Sequence, residues 1–360
     1  MTAAATYREL FAYSDWGRDK LLNASTKLSD EQLDRAFEIG PGTLRATLQH
    51  LYAAERIWHE RWQGQEFPQF PQPQQITALT DLATAWRALA DIRNRFIDGL
   101  PNDPFDRLIT YTKPSGETYT RSLGDLLLHV CNHGVHHRAQ ALNLLRRAGG
   151  KPMSLDQLYM RAELPTLAYS AAEKQQLNEL GFAVSGQVSP PAELDPRVLR
   201  RYFAYCDWAN ARTLDAAAAL TDEQLDREHD VGLKRLRKTM LHICDAEVWW
   251  FRNWTIGPRE DFEQLAETTS IAELREIFEE SNRRRDAYLS ALRPSELLGE
   301  TTAQVKAGVR PRFRLGETIL ELLEHGTHHR AQALNMLRHS GAEPPSLNYT
   351  DYLNHCAGSS

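Results

Sequence analysis

The chain has 360 residues, of which 25% are charged and 42% hydrophobic, and a net charge of −6 at pH 7. That length suits about two ordinary domains, each able to bury a core. The acidic balance lacks the basic footprint of general nucleic-acid binding, no stretch approaches the roughly 18 apolar residues of a membrane helix, and the N-terminus lacks the basic and apolar regions of a signal peptide; the expectation is a cytoplasmic protein acting on neither nucleic acid nor membrane.

Taken in order, the first elements read as helices. TYRELFAYSDWGRDKLLNAST places Leu10, Tyr13, Leu21 and Leu22 at recurring helical positions. A second helix is expected from about 43 to 64 and a third from about 79 to 100, ended by Pro101 and Pro104. LITYTKPSGETYTRS, with β-formers around Pro-Ser-Gly, predicts a small hairpin or irregular excursion. Ser122 then opens a fourth helix, with Asp125 three residues on, and Gly149 stops it. Four helices with one longer connection make a four-helix bundle.

The same text then recurs at an offset of 192. Asp15-Trp16 matches Asp207-Trp208, SDEQLDR at 29–35 matches TDEQLDR at 221–227, and Glu55 matches Glu247. HGVHHRAQALNLLRRAG at 133–149 matches HGTHHRAQALNMLRHSG at 325–341 in 13 of 17 positions. A repeat this long is a domain duplication rather than a solenoid. The expected organisation is all-α, two tandem bundles at 1–160 and 196–356 joined by a linker at 161–195 that is rich in Pro, Gly, Ser and Gln, with a short helix near 171–180. The four cysteines, Cys131, Cys206, Cys244 and Cys356, are scattered and form no disulfide pattern.

His133 and His137 are four apart, so a helix sets them on one face a turn apart, while His136 lies about 100° round. That is the spacing two imidazoles need to share a metal ion, with His50 of the second helix as the third donor; repeat two offers His242, His325 and His329. The plain alternative is a set of core histidines preserved by duplication. Three imidazoles with an open fourth position would describe a catalytic site rather than a closed structural one. Leu51, Ala54, Val130 and Ala141 would keep it dry.

The helix-borne H-x-x-x-H-R-x-Q, with an upstream His in the second helix and a Trp in the first, resembles the DinB-like (DinB/YfiT) superfamily, once over about 5–160 and again over about 197–355. The resemblance implies four-helix bundles in which three histidines bind a divalent metal, zinc or nickel foremost and iron as a further choice. By position it implies His50, His133 and His137 as one site and His242, His325 and His329 as the other. Relatives include S-transferases using bacillithiol, mycothiol or glutathione, and a maleylpyruvate isomerase. Many relatives are dimers, and the doubling is expected to replace that dimer by an internal pseudo-twofold pair within one chain.

The copies differ near the histidines. His129 stands where repeat two has Glu321, and either could support or join the ligands. Asp245, at the place of Ala53, is the candidate base or anchor for a cationic substrate. Gln140 and Gln332 are candidates to orient a bound cofactor or to cap a polar edge. The leading expectation is a metal-dependent transferase or hydrolase acting on a small molecule, with a low-molecular-weight thiol as co-substrate. The alternative is a non-catalytic metal- or ligand-binding stress protein.

Overall fold

The computed structural model describes residues 3–66, 76–100, 103–258, 262–303 and 310–358; Pro101, expected to end the third helix, lies outside them. In chain order the elements are α1 (Ala3–Ser25), α2 (Asp30–Leu33), α3 (Leu44–Trp62), α4 (Leu79–Asp98), β1 (Leu108–Thr112), β2 (Thr118–Ser122), α5 (Leu123–Arg147), α6 (Gln157–Glu163), α7 (Ala171–Glu179), α8 (Pro196–Ala217), α9 (Asp222–Leu225), α10 (Leu236–Thr255), α11 (Ile271–Ala291), β3 (Glu300–Thr302), β4 (Arg312–Arg314), α12 (Leu315–His339) and α13 (Tyr349–Gly358). A 3-10 turn spans Pro294–Leu298.

The chain divides into two compact units, one made of Met1–Met153 with Asn348–Ser360, the other of Ser154–Leu347. In the first, α1 and α3 each pack on both α4 and α5, closing the ring of a four-helix bundle. In the second, α8 and α10 stand in the same relation to α11 and α12. The fold is all-α, with two-stranded hairpins as the sheet structure of the described residues.

The helix ends follow from local chemistry. Ser122 accepts the Asp125 amide and starts α5, and Thr43 accepts the Ala46 amide and starts α3. The repeated DEQL runs are single turns closed by capping boxes, Ser29 with Gln32 and Thr221 with Gln224. Each glutamine also donates to a helix C-terminus, Gln32 to the Ala148 carbonyl after α5 and Gln224 to that of Ser340 after α12, both at 2.9 Å. The expected hairpin forms, pairing Leu108 with Ser122 through Thr112 with Thr118. Its Tyr111 meets Trp58 of α3 edge to face.

Each unit is completed by the short helix that follows the other repeat. Helix α6 packs on α12 and α13 on α5. Arg121 donates to the Asn354 side chain at 2.7 Å. Residues 161–195, read as a linker, are built into the second unit. There Thr166 donates to Glu317 at 2.6 Å, Tyr169 to the Arg312 carbonyl at 3.0 Å, and Arg312 pairs with Glu173 of α7 at 2.7 Å.

A buried ion-pair frame spans each bundle. Arg93 of α4 is fully buried between Glu55 of α3 and Asp15 of α1; Arg285 of α11 lies likewise between Glu247 and Asp207. The remaining need of the glutamate is met differently. Trp86 Nε1 donates to Glu55 at 2.7 Å, whereas Asn210 donates to Glu247 at 3.2 Å and accepts from Arg330 at 3.0 Å.

Candidate metal centre

Helix α3 brings His50 against His133 and His137 of α5. His50 Nε2 and His133 Nε2 are 3.1 Å apart, the ring centres of His50 and His137 4.5 Å, and those of His133 and His137 4.4 Å. One donor atom from each of the three lies within 4.8 Å of the others, and the same holds for His242, His325 and His329 of the second unit. All six rings keep some solvent access.

Burial holds these imidazoles neutral, the form that ligates a metal. It lowers the pKa of His50 and His242, and takes His133, His137 and His329 well below 6.5. His325 is brought to about 3 by burial and then by His242 and His328.

Gln140 and Gln332 bind the histidines themselves. The Gln140 carbonyl oxygen meets His137 Nδ1 at 2.7 Å while its amide nitrogen meets His136 Nε2 at 2.9 Å. Gln332 repeats this with His329 and His328, both at 2.9 Å. A carbonyl accepts, so Nδ1 carries the proton and Nε2 keeps its lone pair for an ion. The glutamines need glycine opposite them. A Cβ on Gly40 or Gly232 would stand 2.1 or 2.0 Å from the glutamine oxygen, and both glycines have positive φ, +50° and +45°.

A divalent ion fits this donor set. Three neutral nitrogen donors converge in each unit, and His325 Nε2 is buried with no hydrogen-bond partner. Imidazole donors suit zinc, nickel and iron.

Around the triads the units diverge. His129 is buried edge to face on Trp58, its ring centre 5.9 Å from that of His133. Burial lowers its pKa to about 3, and its Nδ1 has no partner. Glu321, its counterpart, accepts the Leu158 amide at the start of α6 and lies 3.9 Å from His325 Nδ1. Burial and then the charge of Asp156 hold the Glu321 carboxyl well above the usual range. Asp245 accepts the Leu265 amide at 3.0 Å, anchoring the segment before α11, and burial raises its pKa.

Asp156 is a residue that the sequence did not single out. Its carboxylate, Glu321 and His325 form a third group with donor atoms mutually within 4.8 Å. It lies 86 residues before His242 (242 − 156), in the tail of the other repeat. The signal was a divergence at offset 192, where Ser-Leu-Asp at 154–156 faces Ser-Leu-Asn at 346–348.

A four-helix bundle with one histidine on its second helix and a His-x-x-x-His pair on its fourth defines a class of small helical proteins with a tri-histidine centre. The DinB family model matches residues 1–175 and again 194–356, so the chain belongs to the DinB family and carries the domain twice. Protein DinB of Bacillus subtilis (strain 168) is 20% identical over 148 residues, 39% of this chain and 85% of that protein. No solved structure matches the chain. No helix among the described residues is long and apolar enough to cross a membrane.

Proposed function

We propose that the protein is a divalent-metal-dependent enzyme of the cytoplasm, with His50, His133 and His137 holding one ion and His242, His325 and His329 another. The reaction class is S-transfer from a low-molecular-weight thiol such as bacillithiol, mycothiol or glutathione, or hydrolysis of a small molecule. One observation carries this reading: twice in one chain, three neutral imidazoles converge, and in each set a glutamine turns a ring so that its lone pair is free.

When bound, such an ion supplies Lewis acidity, lowering the pKa of a protic group brought against it. The protein's part is to orient and exclude. Gln140 and Gln332 hold the rings, and buried Leu51, Val130 and Ala141 remove water from one side of the first triad. His129, beside that triad, is held neutral by burial and would leave the positive charge of an ion available to an anionic thiolate. Asp245 is the candidate base of the second unit, and Asp245→Asn tests it separately.

Non-catalytic binding has support at the second centre, where Asp156 and Glu321 could occupy positions a substrate would need. Metal content per chain discriminates. Wild type should carry about two ions, falling to about one in His137→Ala and in His329→Ala; a thiol-transfer screen on the two variants then shows which centre turns over. Retention of full metal by either variant would overturn the assignment.

A further inference from the structure

We propose that Asp156 is a ligand of the second centre, so that this centre is a mixed nitrogen–oxygen site for a harder ion of the manganese(II) or iron(II) class, unlike the all-imidazole first centre. The proposal rests on the reading of the two triads as metal centres and adds a donor to one of them.

Four observations carry it. First, Asp156 occupies the N-cap position of α6, where an aspartate ordinarily accepts an amide of the first turn, yet its side chain makes no capping bond. Second, the capping role has passed to Glu321, whose carboxylate accepts the Leu158 amide at 3.2 Å and so holds the start of α6 against α12. Third, the released Asp156 carboxylate has an oxygen within 4.8 Å of a ring nitrogen of His325 and of a Glu321 oxygen. Fourth, His325 Nε2 is buried without a partner, as a donor awaiting a cation would be, while Nδ1 of the same ring faces Glu321.

The roles divide by chemistry. Glu321 is a positioning residue: it fixes α6 by one oxygen and faces the His325 ring with the other, the carboxylate–histidine arrangement that orients a ligating imidazole. Asp156 would supply a carboxylate oxygen. Adding a hard carboxylate oxygen to the imidazoles favours manganese, and the iron that imidazoles also accept, relative to zinc and nickel. At the corresponding positions the first repeat has His129 and the second repeat's tail has Asn348, both neutral. The two centres therefore differ by two carboxylates within a shared histidine frame.

The test is equilibrium dialysis of the full chain against manganese(II) and, separately, zinc(II). It compares His137→Ala, which leaves the second centre alone, with the same chain carrying Asp156→Asn or Asp156→Glu. The expected result is one manganese ion per chain, bound at least about tenfold more weakly after Asp156→Asn, with a smaller change for zinc and partial recovery in Asp156→Glu. Zinc bound at the first centre of Asp156→Asn in the otherwise wild-type chain reports that the protein is folded. Equal manganese affinity with and without the Asp156 carboxylate, alongside retained zinc, would overturn the proposal and leave the tri-histidine reading standing. Absence of either metal from both centres of the wild-type chain would overturn the tri-histidine reading, and this proposal with it.

Discussion

The two centres share their histidines, their orienting glutamines and the glycines that make room for them, but not the ionisable groups beside them. Around the first triad lies the neutral His129; around the second lie Glu321 and Asp156. Both units keep the same buried frame beneath, an arginine between a glutamate and an aspartate. Duplication has preserved what holds the rings in place and varied what surrounds them. Positioning and electrostatics are thus separable parts of this site, and each can be perturbed alone.

The largest expected effect comes from breaking the frame. Arg93→Met or Arg285→Met strands a buried glutamate and a partly buried aspartate, and losing one partner of a buried pair costs about 3–5 kcal/mol. Chemical denaturation followed by unit-resolved hydrogen exchange should show the loss confined to the mutated unit. Equal destabilisation of both units would break the comparison.

The positioning layer should respond next. Gln140→Ala and Gln332→Ala each free one histidine ring, and removing a partner of this kind costs about 10–100-fold in metal affinity. Gly40→Ala and Gly232→Ala should reach the same end by displacing the glutamine, with an added backbone strain of about 1–3 kcal/mol at positive φ. Metal competition titrations read both pairs. Unchanged affinity in the glutamine variants would assign those side chains to packing.

Acid response should separate the units in metal-free protein. Burial lowers the His129 pKa to about 3, against 6.5 for a free side chain. Below 6.5 the unfolded chain takes up a proton that the folded one refuses. The first unit therefore loses stability as pH falls from about 6.5 toward 3, at up to about 1.4 kcal/mol per pH unit from this residue. Glu321 has the opposite sign. Its raised carboxyl favours the folded state below 4.5 and costs stability as pH rises above that value. Hydrogen exchange from pH 5 to 8 should show Glu321→Gln stabilising the metal-free second unit at the upper end and His129→Gln flattening the acid loss of the first. Identical pH profiles in wild type and Glu321→Gln would remove the electrostatic half of the comparison.

Much of this was legible in the sequence because it is local or repeated. The i, i+4 pair His133 and His137 needs only a helix, Ser122 and Asp125 mark where that helix starts, and the 192 offset marks the second copy. The place of His50 opposite them was legible as a histidine inside an apolar helix, and the structure joins it to the pair. What stayed hidden is tertiary. Arg93 and Arg285 look like ordinary charges on amphipathic helices until two neighbouring helices close over each of them. The glutamines could be seen to share the ligand face, but not that they bind the rings. Asp156 was hidden more deeply, because short helices at the repeat ends pack on the unit to which sequence order does not assign them.

That exchange of terminal helices puts heredity and folding out of phase. The stretch of gene that encodes one repeat does not encode one finished bundle: residues 154–163 are inherited with the first copy and serve the second, and 348–358 the reverse. With Asp156 as a ligand of the second centre, selection on that centre would be recorded partly in the first repeat's tail. An alignment of the two repeats sets Asp156 beside the first centre's histidines, whereas the folded molecule sets it beside the second's. Anyone grafting, shuffling or tracing the ancestry of these domains should cut at Met153 and Leu347, where the compact units part.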